Sequence, residues 1–511
     1  MTKLSQRLGQ VAQTNQRKQL PPKTIPFGEY MPDQPDYANP GATIANNVIA
    51  KSNSYGPFRG LQARSDALDA RCQGVTAGSS LGGAVSIYAG DATKLYNLAA
   101  ELFTDISKAG GYNIAEDGTW EFAQFGNSII ATNFDDAVQV IAPGGAIFSD
   151  LITSTLKPTA RHIAIVRDFV VLGNPNAAVA GAKPNRVQWS AINDSTDFDP
   201  DSGTQSDFND IPEGGWCQGL VGGEYGLVFM EREIQRMTYV GSPLVFQFDR
   251  VERNRGTHIP GSIISLGRLT FYISEEGFFH FDGTTSTPIG VNKVDKFFAS
   301  QFDTTYISRV SAAIDPINKT VLWGFPGTGS TAGNPNLFLI YNWSENKWSD
   351  ANVDHQLLSR SLSQGLTLDE LDTVSTDIET GFGFSFDSRA FASSEFKLAA
   401  FDTANRYNYF DGNNLAATIE TGEARHNPVG TFHVRSLRPL IDGGTITAAI
   451  AGRALQTAAV SFGSAASINA LGECSVQNNS RFQRFRASIA AAGTWEHAQG
   501  VEVLGSPGGR W

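Results

Sequence analysis

A short β-hairpin unit recurs along this chain, and its clearest copy spans residues 262–283. Two runs of β-branched and aromatic residues, 262–266 and 269–273, flank the turn pair Gly267-Arg268, and a third run follows at 278–281. Such runs between glycine-containing turns predict three short antiparallel strands. A meander of this size cannot bury both of its faces alone, so we expect it to pack against further copies of itself.

Turn pairs of the same kind recur along most of the chain at a spacing of roughly 40 to 55 residues, which is typical of the blades of a β-propeller. We therefore predict an all-β protein whose residues 76–425 form a β-propeller of six or seven blades, with six favoured. A β-sandwich would show a new linker about every 100 residues, and a β-helix would repeat at shorter intervals. The central turns lie near residues 126, 168, 223, 267 and 318.

The two ends of the chain lack this repeat. Residues 27–74 contain prolines and glycines spaced too closely for a long helix, and we predict that residues 1–75 form an extended N-terminal arm that packs on other domains or subunits. We place the last propeller strand at 415–419, and we predict a smaller C-terminal β domain over residues 426–511. The aromatic residues expected to anchor the arm are Phe27, Tyr30, Tyr37, Tyr55 and Phe58.

The composition agrees with a soluble all-β chain made in the cytosol. The sequence has 52 Gly and 33 Phe residues, as many turns and aromatic strands require. No apolar run approaches the roughly 18 residues that span a bilayer, and the first 22 residues are too polar for a signal peptide. Three widely separated cysteines, Cys72, Cys217 and Cys474, predict buried apolar side chains rather than a disulfide framework or a zinc site.

The net charge of -12 is unevenly distributed. Residues 1–28 carry basic residues and no acid, whereas residues 194–213 carry acidic residues and no base. The basic segment is either a disordered terminus or an arm that orders on an acidic partner or on nucleic acid. Because duplex DNA is held mainly by Lys and Arg contacts to phosphate, a body this acidic is a poor DNA clamp. It can still surround DNA without holding it.

Two segments offer candidate contact surfaces. Residues 367–380 have a capping box and apolar residues near helical spacing, which predicts a short acidic helix that is either solvated or packed on a neighbouring subunit. Residues 481–486 alternate in type, and we expect three arginines on one face of a strand, facing either solvent or an acidic neighbour or DNA phosphate. The helix residues are Leu368, Leu371, Val374 and Ile378, and the strand residues are Arg481, Arg484 and Arg486.

Signatures of catalysis and of cofactor binding are missing from the sequence. The seven histidines are scattered, and no HExxH, GxSxG, Walker A or strand-linked GxGxxG motif occurs. We therefore expect no enzyme activity, cofactor or catalytic residue. The stretch 117–120 is similar to the Asp-box turn of sialidase propellers but lacks its spacer residue. The stretch 197–203 resembles a calcium loop with a misplaced glycine and an intervening Pro200, so a metal site and an acidic surface loop both stay open.

Short structural motifs, each different from the others, are distributed from the arm to the C-terminal segment. They are residues 27–33 (FGEYMPD) with 46–48 (NNV), 120–127 (WEFAQFGN), Asp315-Pro316 with 321–323 (VLW), 341–343 (YNW) with Lys347-Trp348, 415–423 (LAATIETGE), and Thr494-Trp495 with 499–501 (QGV). Through these motifs the chain resembles, over nearly its full length, the tail nozzle proteins of short-tailed bacteriophages, which are also called packaged-DNA stabilisation proteins.

The resemblance implies a fold, partners and a location. It implies a propeller with an additional β domain and a homohexameric ring below the portal-adaptor ring, in the virion tail that is assembled in the host cytoplasm. The ring would continue the DNA channel, retain the packaged genome and release it during ejection, with tail fibre or spike subunits as neighbours. Duplex DNA would pass without sequence-specific binding, since a lumen lined with Asp and Glu repels phosphate.

Two other functions compete with the nozzle. A propeller that binds or cleaves a host-surface glycan predicts a cluster of aromatic residues and carboxylates at one mouth of the propeller, and a monomer or trimer in solution. A phage structural protein without a gate, such as a fibre-attachment or capsid-decorating subunit, is the third possibility.

Overall fold

The regular secondary structure in the computed structural model of the protein is almost entirely β-strand. It describes residues 21–79, 85–99, 101–142, 145–152, 158–177, 181–201, 203–362 and 395–509. Within these ranges one α-helix, Asp295–Gln301, and two 3-10 helices, Pro260–Ser262 and Thr304–Arg309, interrupt the strands. None of these helices has the length and hydropathy needed to cross a membrane.

Seven antiparallel sheets follow one another as the blades of a β-propeller. The first strand of blade 7 contacts the first strand of blade 1, just as the first strands of blades 1 to 4 contact each other in order, so the blades close in a circle. Blade 1 consists of Gly74–Ser79, Val85–Gly90, Leu95–Ala99 and Leu102–Asp105, blade 2 of Glu121–Phe125, Ser128–Thr132, Gln139–Ile141 and Ser149–Asp150, blade 3 of Thr159–Val166, Phe169–Ala177, Arg186–Trp189 and Asp207–Asp210 with the short strand Gly181–Ala182, and blade 4 of Cys217–Val221, Gly226–Met230, Glu233–Gly241 and Val245–Arg253.

The remaining three blades complete the circle. Blade 5 contains the hairpin unit of residues 262–283 and adds a fourth strand to it. Gly267, at the predicted turn, has a φ of 62°, which glycine adopts without strain. Blade 5 consists of Ile264–Leu266, Leu269–Ser274, Gly277–Phe281 and Ser286–Pro288, blade 6 of Ser311–Asp315, Thr320–Phe325, Leu337–Asn342 and Lys347–Asn352, and blade 7 of Leu357–Leu362, Phe396–Phe401, Arg406–Tyr409 and Gln62–Ala67.

Buried apolar side chains fill the junctions between consecutive blades. Ile130 of blade 2 packs in one cluster with Val170 of blade 3. Between blades 4 and 5 the rings of Phe229 and Tyr272 lie 5.2 Å apart. Blades 7 and 1 share a cluster that includes Phe401. Each sheet therefore buries its faces against its neighbours, as the repeat requires.

The prediction that favoured six blades is wrong. The structure has seven, which lies within the predicted range of six or seven. The last blade takes its outer strand, Gln62–Ala67, from the N-terminal arm, and this strand pairs with Arg406–Tyr409. Because this strand lies far along the chain from the rest of its blade, no local hairpin pattern indicates the pairing, and the sequence did not predict that the strand belongs to the propeller.

Two further sheets share one core beyond the propeller. The placement of 415–419 as the last propeller strand is wrong, because Ala417–Thr421 pairs with Phe482–Ile489 and with the arm strand Ala42–Asn46. The C-terminal sheets thus begin before residue 426. One sheet contains Ala42–Asn46, Ala417–Thr421, Phe482–Ile489, Ile446–Arg453 and Ala466–Ser467. The other contains Val48–Ala50, Tyr55–Pro57, Ala498–Pro507, Phe432–Ile441 and Asn478–Ser480, and the strand Lys23–Pro26 pairs with Ala498–Pro507.

The arm joins the propeller to the C-terminal sheets. Asn46, at the end of one arm strand, lies beside Asp350 of blade 6 in a parallel bridge, so a single nine-stranded sheet runs from the propeller into the C-terminal core. The carboxylate of Asp33 accepts hydrogen bonds from the backbone N–H groups of Lys296 and Phe297, both 2.8 Å long, at the start of the helix Asp295–Gln301. Residues 21–75 of the arm are therefore extended and pack on both the propeller and the C-terminal sheets.

Most of the arm's aromatic side chains are anchors, as predicted. Phe27, Tyr30, Tyr55 and Phe58 are buried, whereas 45% of Tyr37 is exposed, so the prediction fails for that residue. Phe58 lies in the core between blades 6 and 7. The arm thus contributes apolar side chains as well as strands.

The three cysteines are buried and free, which confirms the prediction that they are apolar core residues. Burial raises the pKa of the Cys72 and Cys217 thiols to about 12. Because the thiolate is the reactive form of cysteine, these side chains are inert in the folded protein.

His355 is a fully buried titratable group between blades 6 and 7. Its ring stacks on Phe338 at 4.3 Å, and its Nδ1–H donates to the carbonyl of Val353 over 2.9 Å. Burial lowers its pKa from 6.5 to about 4. The folded protein therefore holds this ring neutral at pH values where the unfolded chain protonates it.

We expect the variant His355→Phe to lose part of the protein's sensitivity to acid. The stability that the neutral ring contributes is complete above pH 6.5 and is lost as the pH falls towards 4, by roughly 3 kcal/mol. Urea unfolding at pH 7 and near pH 4 measures this difference. Asp295 and Asp350, whose pKa burial raises to about 6, act in the opposite direction in both proteins and cancel in the comparison. Equal losses in both proteins would contradict the assignment.

Candidate functional site at the propeller axis

The predicted helix residues Leu368, Leu371, Val374 and Ile378 lie outside the described residues. Their role as a subunit contact therefore stays a prediction.

The predicted basic strand does not present three arginines on one face. Side chains alternate along a strand, so Arg484 and Arg486 share a face with Phe482, whereas Arg481 belongs to the opposite face. Arg484 is buried rather than exposed, and both Arg484 and Arg486 bind the same carboxylate. The expectation of a basic outer surface at Arg481, Arg484 and Arg486 is therefore wrong.

The shared carboxylate belongs to Glu420, which is 2% exposed. Its Oε1 lies 2.8 Å from Arg484 Nη1, and its Oε2 lies 2.8 Å from Arg486 Nη2. Arg484 also pairs with Asp36 of the arm over 2.5 Å. Burial lowers the pKa of Arg484, but the bonds to Glu420 and Asp36 outweigh it, so the pKa is raised overall. This network, which we call the Glu420 cluster, fastens the arm to the C-terminal sheets.

An axial cavity of about 450 Å³ lies where the blades converge, and it is the strongest candidate for a binding site. Its volume is within the range of small-molecule pockets. The innermost strands position its lining, because each blade contributes residues from its first strand or from the segment just before it. Representative residues are Val75, Glu121, His162, Gln218, Pro260, Ser311 and Ser359.

Glu121 and His162 form a hydrogen-bonded pair across blades 2 and 3. His162 Nδ1 lies 2.7 Å from Glu121 Oε1, and Glu121 Oε2 accepts from the backbone N–H of Ile163 over 3.1 Å. A carboxylate acceptor at this distance places the proton on Nδ1. His162 is only 4% exposed, and Nε2 has no other hydrogen-bond partner among the described residues. The other ring nitrogen, Nε2, is therefore the one available to a ligand.

The other charged groups of the axial cavity are also engaged. Asp117 Oδ1 accepts from the hydroxyl of Ser308 over 3.2 Å, and His258 lies 3.0 Å from Glu275. Arg161 is exposed and lies over the ring of Phe134 at 4.1 Å. Most of the lining that remains is uncharged.

Two further residues of the axial cavity are unusual, one in its exposure to solvent and the other in its backbone conformation. Trp216 is 54% exposed, which is unusual for so large an apolar side chain. Asn174 is buried and has a φ of 52°, inside the strand Phe169–Ala177. Non-glycine residues with positive φ concentrate at functional sites, although asparagine tolerates this conformation.

A second cavity, of about 590 Å³, lies between the arm, blades 6 and 7 and the C-terminal sheets. Basic and acidic side chains line it in equal numbers, so it has no charge preference. They are Lys51, Arg59 and Lys397, with Asp315, Asp411 and Glu496.

Metal ligands do not cluster in the described part of the chain, where no group of three His, Cys, Asp or Glu side chains comes together. In the candidate calcium loop, Asp197 Oδ1 accepts from the backbone N–H of Asp199, and Asp201 Oδ1 accepts from that of Gly203. These carboxylates thus stabilise the loop by local hydrogen bonds.

Sequence reasoning missed the axial cavity. Its residues come from all seven blades and lie far apart in the chain. The stretch 117–120, singled out for its similarity to an Asp-box, contributes Asp117, Thr119 and Trp120 to the lining. That similarity was the signal available in the sequence.

Comparison with known proteins gives distant structural neighbours alone. No family model and no curated protein sequence matches the chain. The extracellular domain of the one-component system BT4673 from B. thetaiotaomicron is 11% identical, with a TM-score of 0.39 over 80% of this chain and 45% of its own. BamB from Moraxella catarrhalis is 10% identical, with a TM-score of 0.34 over 71% of this chain and 92% of its own. The chain thus spans less than half of the first neighbour, and neither likeness carries an argument about function.

Proposed function

We propose that the protein is a structural subunit of a short bacteriophage tail, in which copies form a ring-shaped nozzle that continues the DNA channel below the portal-adaptor. The sequence motifs described above suggest this role, and one structural observation supports it best. The arm, the propeller and the C-terminal sheets are joined by a continuous nine-stranded sheet. A subunit built in this way is stiff, as a conduit for DNA under pressure requires.

The charge of the protein fits passage of DNA without adhesion. The net charge is -12, and two arginines of the predicted basic strand, Arg484 and Arg486, are engaged with Glu420 and Asp36. Strong DNA binding needs several free Lys or Arg contacts to phosphate. An acidic lumen would repel the phosphate backbone of the DNA, so the genome could slide through the channel.

Ring assembly requires two complementary flanks on each copy. Exposed apolar side chains are candidates for them, because burial in an interface would remove them from water. The outer hairpin of blade 4 exposes Val240 and Leu244, and loops of the C-terminal sheets expose Leu455 and Leu471. The proposed nozzle would pair surfaces of this kind between neighbouring copies.

Particle mass tests the proposal. We expect the purified protein to form a complex of six copies, alone or after mixing with portal-adaptor complexes, and native mass spectrometry measures the number. A protein that stays monomeric or trimeric in both samples contradicts the nozzle. A monomer or trimer is also what the competing glycan-binding or glycan-cleaving function predicts.

A further inference from the structure

The axial cavity has the chemistry of a site for an uncharged polar ligand. Its carboxylates and histidines are already engaged: Glu121 with His162, Asp117 with Ser308, and His258 with Glu275. A cationic ligand would have to compete with these contacts, and the remaining charged side chain of the lining, Arg161, lies over the ring of Phe134. The groups that remain are mainly amides and hydroxyls, which both donate and accept hydrogen bonds.

Some of these groups are held in place and left unsatisfied. His162 is 4% exposed, and its Nε2 has no hydrogen-bond partner in the described residues. Asn174 is equally buried and uses its Nδ2 in a 3.4 Å contact with the carbonyl of Cys217, which leaves its Oδ1 without a hydrogen bond in the described residues. Polar atoms that line a cavity and have no protein partner can form hydrogen bonds with a ligand or with water.

Trp216 supplies an apolar surface at the same place. The indole is 54% exposed while its chain neighbour Cys217 is fully buried, so the backbone beside the ring is fixed. A flat, exposed aromatic face next to hydrogen-bonding groups suits a ligand with one apolar face and a rim of hydroxyls. Sugar rings have this combination of surfaces.

We infer that the axial cavity binds a short neutral saccharide, with Trp216 stacked on a sugar ring and with His162 and Asn174 hydrogen-bonded to its hydroxyls. The site goes beyond the proposed nozzle role and does not depend on it, since its lining comes from a single chain. A tail subunit with this site would add a contact to a carbohydrate surface.

Isothermal titration calorimetry of the full-length protein with maltotriose, cellotriose and chitotriose tests the inference. We expect at least one of these neutral trisaccharides to bind, and the variant Trp216→Ala to weaken that binding by roughly tenfold. The variant Trp216→Phe should retain most of the affinity, because it keeps an aromatic face. Since Trp216 is largely exposed, neither change should unfold the propeller.

The matched control is Val429→Ala, a truncation of an exposed apolar side chain just before the strand Phe432–Ile441. It should leave trisaccharide binding unchanged. Absence of binding by all three trisaccharides at millimolar concentration would overturn the inference, as would equal affinity of Trp216→Ala and wild type. Binding of glucuronic acid in place of the neutral sugars would also overturn it, because the cavity would then select an anion.

Discussion

Replacing Glu420 with glutamine should lower the free energy of unfolding by about 3–5 kcal/mol. Glu420 is buried, and it neutralises Arg484 and Arg486 at the same time. The glutamine has nearly the same shape but no charge, so two guanidinium groups would lose their shared counter-charge, and Arg484 is buried. Urea unfolding followed by fluorescence measures the change.

The matched control is Glu276→Gln. Glu276 also pairs with an arginine, Arg255 at 3.0 Å, but its side chain is 60% exposed. Exposed ion pairs contribute little, so this substitution should cost less than about 1 kcal/mol. If the two substitutions have equal effects, the Glu420 cluster does not fasten the arm to the C-terminal sheets.

Truncation of Phe58 to alanine should destabilise the protein by about 3–5 kcal/mol. Phe58 belongs to the arm, yet its ring lies 5.3 Å from Phe410 and 6.2 Å from Phe338, in the core between blades 6 and 7. Removing it leaves a cavity at the junction that the arm helps to close. Urea unfolding measures the loss, and limited proteolysis shows whether blade 7 opens first.

Tyr37→Ala is the control within the same arm. Tyr37 is 45% exposed and makes one edge contact with Phe482 at 5.5 Å. Its truncation should cost about 1 kcal/mol. A loss for Phe58→Ala that is no larger than this would show that the arm lies on the propeller without being part of its core.

The local hairpin pattern predicted most of the propeller because most blades are built from consecutive strands. In blade 5 the strands Ile264–Leu266, Leu269–Ser274 and Gly277–Phe281 lie where the apolar runs and the glycine turns placed them. Tight turns fix which strands pair, so the sequence of a single stretch is sufficient.

The pairing of distant strands could not be predicted in this way. Gln62–Ala67 pairs with Arg406–Tyr409, and Ala42–Asn46 pairs with Ala417–Thr421. No turn connects the members of these pairs, so nothing local indicates that they meet. The assignment of 415–419 to the propeller failed for this reason.

The candidate site was harder to predict than the fold. The alternation of residues 481–486 was misread, because Arg481 and Arg484 are an odd number of positions apart and so face opposite sides. The carboxylate that binds Arg484 and Arg486 lies in a different strand. The axial cavity gathers residues from all seven blades, and its central pair, Glu121 and His162, belongs to two separate hairpins. Such contacts require the three-dimensional arrangement.

Electron microscopy of the purified protein tests the nozzle most directly, because it shows both the number of copies and the channel. We predict class averages with six-fold symmetry around an open centre that is wide enough for duplex DNA. Single propellers or trimers, both in the protein alone and in its mixture with portal-adaptor complexes, would contradict the account, as would a closed assembly without a central opening.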